Sequence, residues 1–184
     1  MSERNNLYWY ALQCGTGHEM TARRWFARLF PEYGTLLPRR MLHIRKSGKT
    51  RLLTKALFSG YFFMHTETPL ETYRTQEILR KINIGLYPIV YRILGRKDTE
   101  TITHVHPDEM DLILELTAGG EEIGLTSIAR EGNIFRVLSG PLKGKDVLIK
   151  KIHPRKKRIT VELNLLGQKH VINLGADVLM EPIR

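Results

Sequence analysis

Residues Ala118-Gly119-Gly120-Glu121-Glu122-Ile123-Gly124 hold three glycines in seven, and the hydrophobic pattern differs on their two sides. Such a glycine cluster interrupts any helix or strand running into it, so the chain is expected to fold as two parts. Before it, strand-like and helix-like segments alternate. Leu7 to Gln13 is short and aromatic-rich, as strands are. Gly15-Thr16-Gly17 breaks it, and Met20, Trp25, Phe26 and Leu29 mark the apolar side of a helix that ends before Pro31. Thr35–Leu37 and Met41–Ile44 suggest strand pieces around Pro38, and Arg45 to Arg51 a basic loop. Phe58–Met64 is a strongly apolar strand interrupted by Gly60. Thr68-Pro69-Leu70-Glu71 has the capping pattern of a helix start, running to about Lys81. Tyr87–Ile93 suggests a strand, and Pro107-Asp108-Glu109 opens a helix reaching Thr117. This order predicts an α+β domain.

Beyond the glycines the helical period disappears. Residues 134–138, 147–152, 159–163, 170–174 and 178–180 are five short β-rich runs separated by Gly, Pro or charged turns, a pattern that suggests a small barrel. The domain boundaries expected are 1–117, a linker over 118–126, and 127–184.

Charge follows the same division. Residues 1–126 carry 17 Lys+Arg against 14 Asp+Glu, and residues 127–184 carry 12 against 5, so most of the net +10 belongs to the last third. That surplus points to a polyanionic partner, nucleic acid first. Its centre is Lys150-Lys151-Ile152-His153-Pro154-Arg155-Lys156-Lys157-Arg158, in which Arg155 to Arg158 form one unbroken cationic run. Consecutive like charges repel, so an ordinary solubilising hairpin tip has no use for four of them. Lys169 and His170 extend the patch. A second basic cluster comprises Arg39, Arg40, Arg45, Lys46, Lys49 and Arg51.

Other chemistries lack their residues. Ser47-Gly48-Lys49-Thr50 resembles the end of a P-loop, but His43 stands where the first glycine is needed, and Gly15-Thr16-Gly17 lacks the third glycine of a dinucleotide fingerprint. His104-Val105-His106 has no third ligand nearby, so no metal and no cofactor are expected. Cys14, the single cysteine, cannot form an internal disulfide and suits a small core position in a reducing cytoplasm. Trp9 and Trp25 are expected in the core. No carboxylate pair or nucleophile arrangement stands out, so the chain is expected not to be an enzyme. The N-terminus lacks a secretory apolar run, and no apolar stretch is long enough to span a membrane.

Three segments agree with one family. Trp9-Tyr10-Ala11-Leu12-Gln13 followed by glycines and a helix resembles the opening of the NusG amino-terminal (NGN) domain. Leu57-Phe58-Ser59-Gly60-Tyr61-Phe62-Phe63 resembles that family's Phe-Pro-Gly-Tyr strand. Glu131 to Lys145, with Gly140-Pro141-Leu142-Lys143-Gly144 at its turn, resembles a KOW motif. The resemblance covers nearly the whole chain. Two departures stand out. Ser59 replaces the usual proline, which should loosen one turn, and the KOW portion is unusually basic. The chain therefore resembles a specialised paralog, nearest the LoaP antiterminators, with RfaH the other paralog class.

The resemblance implies an NGN-type antiparallel sheet with helices, joined by a flexible linker to a small SH3-like β-barrel. It implies a transcription elongation and antitermination factor, monomeric and cytoplasmic, whose NGN domain docks on the clamp helices of RNA polymerase through Phe58 and Tyr61. It turns Arg39, Arg40, Arg45, Lys46, Lys49 and Arg51 toward upstream DNA. Close to the emerging transcript, Lys150, Lys151, His153, Arg155, Lys156, Lys157, Arg158, Lys169 and His170 become a site for a nascent RNA hairpin. Phe135 is the only aromatic after Tyr91, too few for a platform that stacks unpaired bases. The alternatives are an ordinary NusG whose KOW domain binds Rho or NusE, and an RNA- or ribosome-associated structural protein.

Overall fold

Alternation of strand and helix before residue 117, and strands interrupted by two single 3-10 turns after it, are both present in the computed structural model, which describes residues 7–84, 89–94, 104–132 and 134–179. Tyr87, Pro88, Asn133 and Met180, which fall in expected strands or in the KOW-like motif, lie outside the described residues. Along the chain run β1 (Tyr8–Cys14), α1 (Glu19–Leu29), β2 (Gly34–Leu36), β3 (Arg39–Lys46), β4 (Lys49–Ala56), β5 (Tyr61–Thr66), α2 (Thr72–Ile82), β6 (Val90–Leu94) and α3 (Pro107–Leu116). They are followed by β7 (Glu122–Ile123), β8 (Thr126–Glu131), β9 (Ile134–Ser139), β10 (Ile149–His153), β11 (Arg158–Leu165) and β12 (Gln168–Leu179). The chain divides into two compact units, Met1–Leu37 with Phe58–Met110, and Pro38–Leu57 with Asp111–Arg184.

The first unit is built on an antiparallel sheet in the order β2-β5-β1-β6. Leu12 pairs with Phe62 and Tyr10 with Met64, so these four share one face. Phe26 of α1 meets Phe62 on that face at 5.7 Å. The next residue along, Phe63, points to the opposite face, opposite Ala11, and both are fully buried. Full burial of each phenylalanine contributes about 1.5–3 kcal/mol. The middle of the sheet is therefore covered on both sides, and it is partly open at both ends, at Gln13 and Tyr61 and at Tyr8, Trp9, His65 and Thr66.

Three local expectations change. Helix α1 buries Glu19, Ala22 and Phe26, a narrower stripe than the apolar residues suggest, and Trp25 is left 45% exposed beneath the Arg28 guanidinium. Helix α2 begins at Thr72 rather than after Thr68, because the Leu70 N–H donates to the Tyr10 hydroxyl at 2.7 Å and holds that turn outside the helix. Phe58 precedes β5 instead of lying in it. It is buried, its ring edge-on to Phe63 at 6.1 Å.

The second unit holds a five-stranded sheet in the order β10-β11-β12-β8-β9, antiparallel except where β12 runs parallel to β8. Ile159, Val161, Leu163 and Leu165 alternate into its core. The pattern is that of a curled sheet compatible with a KOW-like domain. Two expected strands, 170–174 and 178–180, are one continuous β12. Its Gly175 is not a break: the backbone carbonyl of Met41 on β3 approaches so closely that a Cβ there would have no room. Strand β8, absent from the expected set, begins within the expected linker.

The glycine-rich stretch itself has regular structure. The N–H of Gly119 donates to Leu114 C=O (2.9 Å) and that of Ala118 to Glu115 C=O (3.0 Å), the two bonds of a Schellman motif closing α3, with Ala118 in the left-handed region at φ 51°. Strand β7 follows, pairing parallel with β3. The expected basic loop 45–51 is likewise ordered. Strands β3 and β4 pair from Arg39↔Ala56 to Lys46↔Lys49, closed by Ser47 and Gly48 with φ of 50° and 76°, a type I′ hairpin turn.

Candidate nucleic-acid interface

The basic run 150–158 folds as the end of β10, a single 3-10 turn over Pro154–Lys156, and the start of β11. Proline sets the turn's φ, and Lys157 closes it in the left-handed region at φ 50°, ψ 52°. That region costs an L residue with a β-carbon about 1–2 kcal/mol. The conformation is held from both sides: the Lys157 N–H donates to Pro154 C=O at 3.0 Å, and its carbonyl accepts from the Ala176 N–H at 3.1 Å. Arg155, Lys156 and Lys157 are exposed, and none has an acidic partner among the described residues.

Arg158 behaves differently. Its Nη2 donates to the His43 carbonyl at 2.6 Å, while its Nη1 is buried with no acceptor among the described residues. Burial draws its pKa down. It anchors the turn to the β3–β4 hairpin more than it offers charge to solvent. A second arginine does the same: Arg40 Nη1 donates to the Asn173 carbonyl at 2.8 Å, and its pKa is lowered by burial and then by the charge of Arg158. His43 Nε2 and Asp177 Oδ1, 3.0 Å apart, complete this set of links. Separated by more than a hundred residues, they carry no local sequence signal.

The two basic clusters thus sort by role. Arg39 faces Glu122 at 3.3 Å and Glu121 at 3.8 Å, and Arg40 is the backbone anchor already described, so neither is a free charge. Arg45, Lys46, Lys49 and Arg51 are exposed on the distal hairpin. Their register splits them. Arg45 lies opposite Thr50 on one face, whereas Lys46, Lys49 and Arg51 lie on the other. On the sheet, Lys169 and Lys150 both reach Glu162, at 3.1 and 3.5 Å, and the Lys169 bond leads in holding that carboxyl below its ordinary pKa. Lys151 is exposed, and His153 and His170 are half-buried.

An open cleft of about 480 Å³ runs between the hairpin and the turn. Arg45 and Thr50 line it on one side with His43 and Ile44, and Arg155 to Arg158 line it on the other.

In the first unit, Phe58-Ser59-Gly60-Tyr61 is a turn in which the Tyr61 N–H reaches Phe58 C=O at 3.3 Å and Gly60 takes φ 82°. The missing proline leaves it well held. The buried carboxylate of Glu19 accepts from the Gly60 N–H at 2.7 Å and from Gly17 N–H at 3.0 Å. Neighbouring Cys14 is buried, and burial followed by the charge of Glu19 pushes its thiol up to about 11. Tyr61 is half-buried and accepts from Gln13 Nε2 at 3.4 Å, and Gln13 Oε1 accepts from Arg92 Nε at 2.7 Å. Phe58, expected beside Tyr61 as a contact, is buried with its ring edge-on to Phe63. Among the described residues no group of three His, Cys, Asp or Glu could hold a metal, and no helix is long and apolar enough to cross a membrane.

An α+β unit and a curled basic β-sheet, with the Trp-Tyr-Ala-Leu-Gln strand and the Phe-x-Gly-Tyr turn in the first, define the class of NusG-like transcription factors. The family model for transcription termination factor nusG matches residues 7–114, more than half of the chain, and the protein belongs to the NusG family. It is 25% identical over 189 residues to the transcription termination/antitermination protein NusG of Thermus thermophilus, covering 92% of this chain and 95% of that one. Its fold is similar to that of Thermotoga maritima NusG, with a TM-score of 0.54 at 17% identity, covering 92% and 94% of the two chains. It is thus a transcription elongation/termination factor.

Proposed function

We propose that this factor promotes continued elongation through terminators by holding RNA polymerase with its first unit and a transcript RNA hairpin with the basic turn of its second. It acts by binding, as a cytoplasmic monomer, and not as an enzyme. One observation carries the RNA reading: Arg155, Lys156 and Lys157 stand exposed and without acidic partners, among the described residues, on a turn that is held in a strained conformation. Free cations displayed on a rigid turn suit phosphates at fixed spacing, and the scarcity of aromatics in this unit favours a structured hairpin over an unpaired strand. Polymerase is the partner that family membership supports in general. Its clamp helices would meet the end of the first unit's sheet at Tyr61.

The test is a titration of the full chain against the hairpin of its native leader transcript and a scrambled one at two salt concentrations. Neutralising Arg155, Lys156 and Lys157 together is expected to abolish most binding. It is also expected to flatten the fall of log affinity with log salt by roughly 0.7–0.9 for each phosphate no longer neutralised. Equal binding to both RNAs means a nonspecific basic tip. Unchanged RNA affinity in the variant, with polymerase association intact, points to an ordinary NusG whose second unit binds a protein such as Rho or NusE.

A further inference from the structure

The β3–β4 hairpin and the β10–β11 turn are more than a hundred residues apart in sequence, and the family resemblance assigns them to different nucleic acids. In the second unit they are the two walls of one cleft. One wall is the turn, whose Arg155, Lys156 and Lys157 have no acidic partner among the described residues. The other is the hairpin, where Arg45 and Thr50 sit opposite each other across the ladder, with His43 and Ile44 beside them. The hairpin is fastened in that position by Arg158 to His43 C=O, by Arg40 to Asn173 C=O and by His43 to Asp177.

We propose that this cleft is a single binding site for the sugar-phosphate backbone of structured RNA, with Arg45 and Thr50 as its second wall. The inference rests on the RNA reading above and assigns to it two residues outside the basic turn. It also removes Arg45 from the DNA-facing group and leaves Lys46, Lys49 and Arg51, on the other hairpin face, out of the RNA site.

Three physical arguments support it. Cations on facing walls repel one another, and a polyanion laid between them removes that repulsion from both sides at once. No carboxylate lines the cleft among the described residues. Its volume, about 480 Å³, suits a short stretch of one strand's backbone and not a whole duplex. The guanidinium of Arg45 can fork onto phosphate oxygens, and the Thr50 hydroxyl can donate to a phosphate or accept from a ribose 2′-hydroxyl. That 2′-hydroxyl is what separates RNA from DNA. The cleft walls are also preorganised, since the anchoring arginines are consumed in holding the hairpin and are not themselves the contacts.

Backbone contacts are indifferent to sequence, so the probe is a fluorescent stem-loop RNA with a G·C-rich stem and a UUCG loop, with the DNA hairpin of the same sequence beside it. Full-length protein is titrated by anisotropy across a salt series. The variants are R45A, the opposite-face pair K46A/K49A, and the turn pair K156A/K157A. Melting curves accompany each, and all five side chains are exposed. R45A is expected to weaken RNA binding several-fold and to lower the salt slope by the share of one phosphate, roughly 0.7–0.9. K46A/K49A removes twice the charge and is expected to change binding less. R45A binding like the parent while K156A/K157A loses affinity overturns the two-walled cleft and leaves the RNA reading standing. K46A/K49A costing as much as R45A also overturns it, because the hairpin then contributes only general charge. DNA bound as tightly as RNA, with the same weakening in R45A, makes the cleft a DNA site and overturns it too. No effect of any variant removes both the cleft and the RNA reading.

Discussion

Lys157 occupies a conformation that glycine or asparagine would adopt at lower cost, and it does so at the rim of the basic cleft. Strain of this kind persists only where the surroundings impose it, here through the Ala176 N–H to Lys157 C=O bond and the preceding 3-10 turn. Replacing Lys157 by glycine relieves the Cβ clash while deleting one charge. K157G is expected to raise stability by about 1 kcal/mol in chemical denaturation and to weaken RNA hairpin binding, two effects of opposite direction. A variant that gains stability with unchanged RNA affinity would show that the lysine's charge does not serve RNA binding. Arg158, one position on, illustrates the converse. In sequence it is one more cation of the run, but in the fold its guanidinium is committed to the His43 carbonyl.

At the level of elements, the end of α3 shows how a glycine-rich stretch can terminate a helix and still be ordered. Gly119 supplies the outer hydrogen bond of the Schellman motif, but the left-handed position itself is taken by Ala118. A second glycine at that position, ahead of Gly119 at φ 75°, is therefore favourable. A118G is expected to stabilise the protein by up to about 1 kcal/mol, read as a rise in melting temperature. No gain would mean that the flexibility glycine adds to the unfolded chain outweighs the relief of strain. The β3–β4 hairpin teaches a related lesson. Arg45 to Arg51 has the composition of a loop, yet Ser47-Gly48 forms a type I′ turn that lets the strands continue to its tip. Pairing then decides which face each cation occupies, and so which of them reach the cleft.

For the whole molecule the question is how polymerase is held. The first unit buries both faces of its sheet at the centre, so the exposed positions of the sheet lie at its ends and on edge strand β6. One partly open end carries Tyr61, Gln13 and Arg92 in a hydrogen-bonded row. Truncating an aromatic anchor at an interface typically costs about 2 kcal/mol or more. Y61A is expected to weaken co-purification with RNA polymerase while leaving the melting profile close to the parent's. Phe58, being core, is the wrong residue for that test, since truncating a buried phenylalanine lowers stability as well. Normal polymerase binding by a folded Y61A variant would move the docking surface elsewhere in the first unit.

Periodicity and punctuation are local, and what depends on them was legible in the sequence. The aromatic strand at Tyr8–Cys14, the helix starting at Pro107 and the β-branched strands after residue 126 follow from side-chain spacing and from where Gly and Pro stand. The excess charge of the last third, and its concentration at Arg155–Arg158, needed only counting. The burial of Glu19, the exposure of Trp25 and the continuity of β12 through Gly175 were not legible. Each is set by a partner distant in sequence: Gly60 for Glu19, the Phe26–Phe62 packing for α1, and the Met41 carbonyl for Gly175. The candidate site divides in the same way. Residue types on the turn declare its charge. Which cations are free, which are committed to backbone carbonyls, and that Arg45 faces Arg155–Lys157 across one cleft were decided only by tertiary structure. A chain's composition sets how much charge it carries, whereas pairing register and long-range hydrogen bonds determine where that charge points and whether it remains uncompensated.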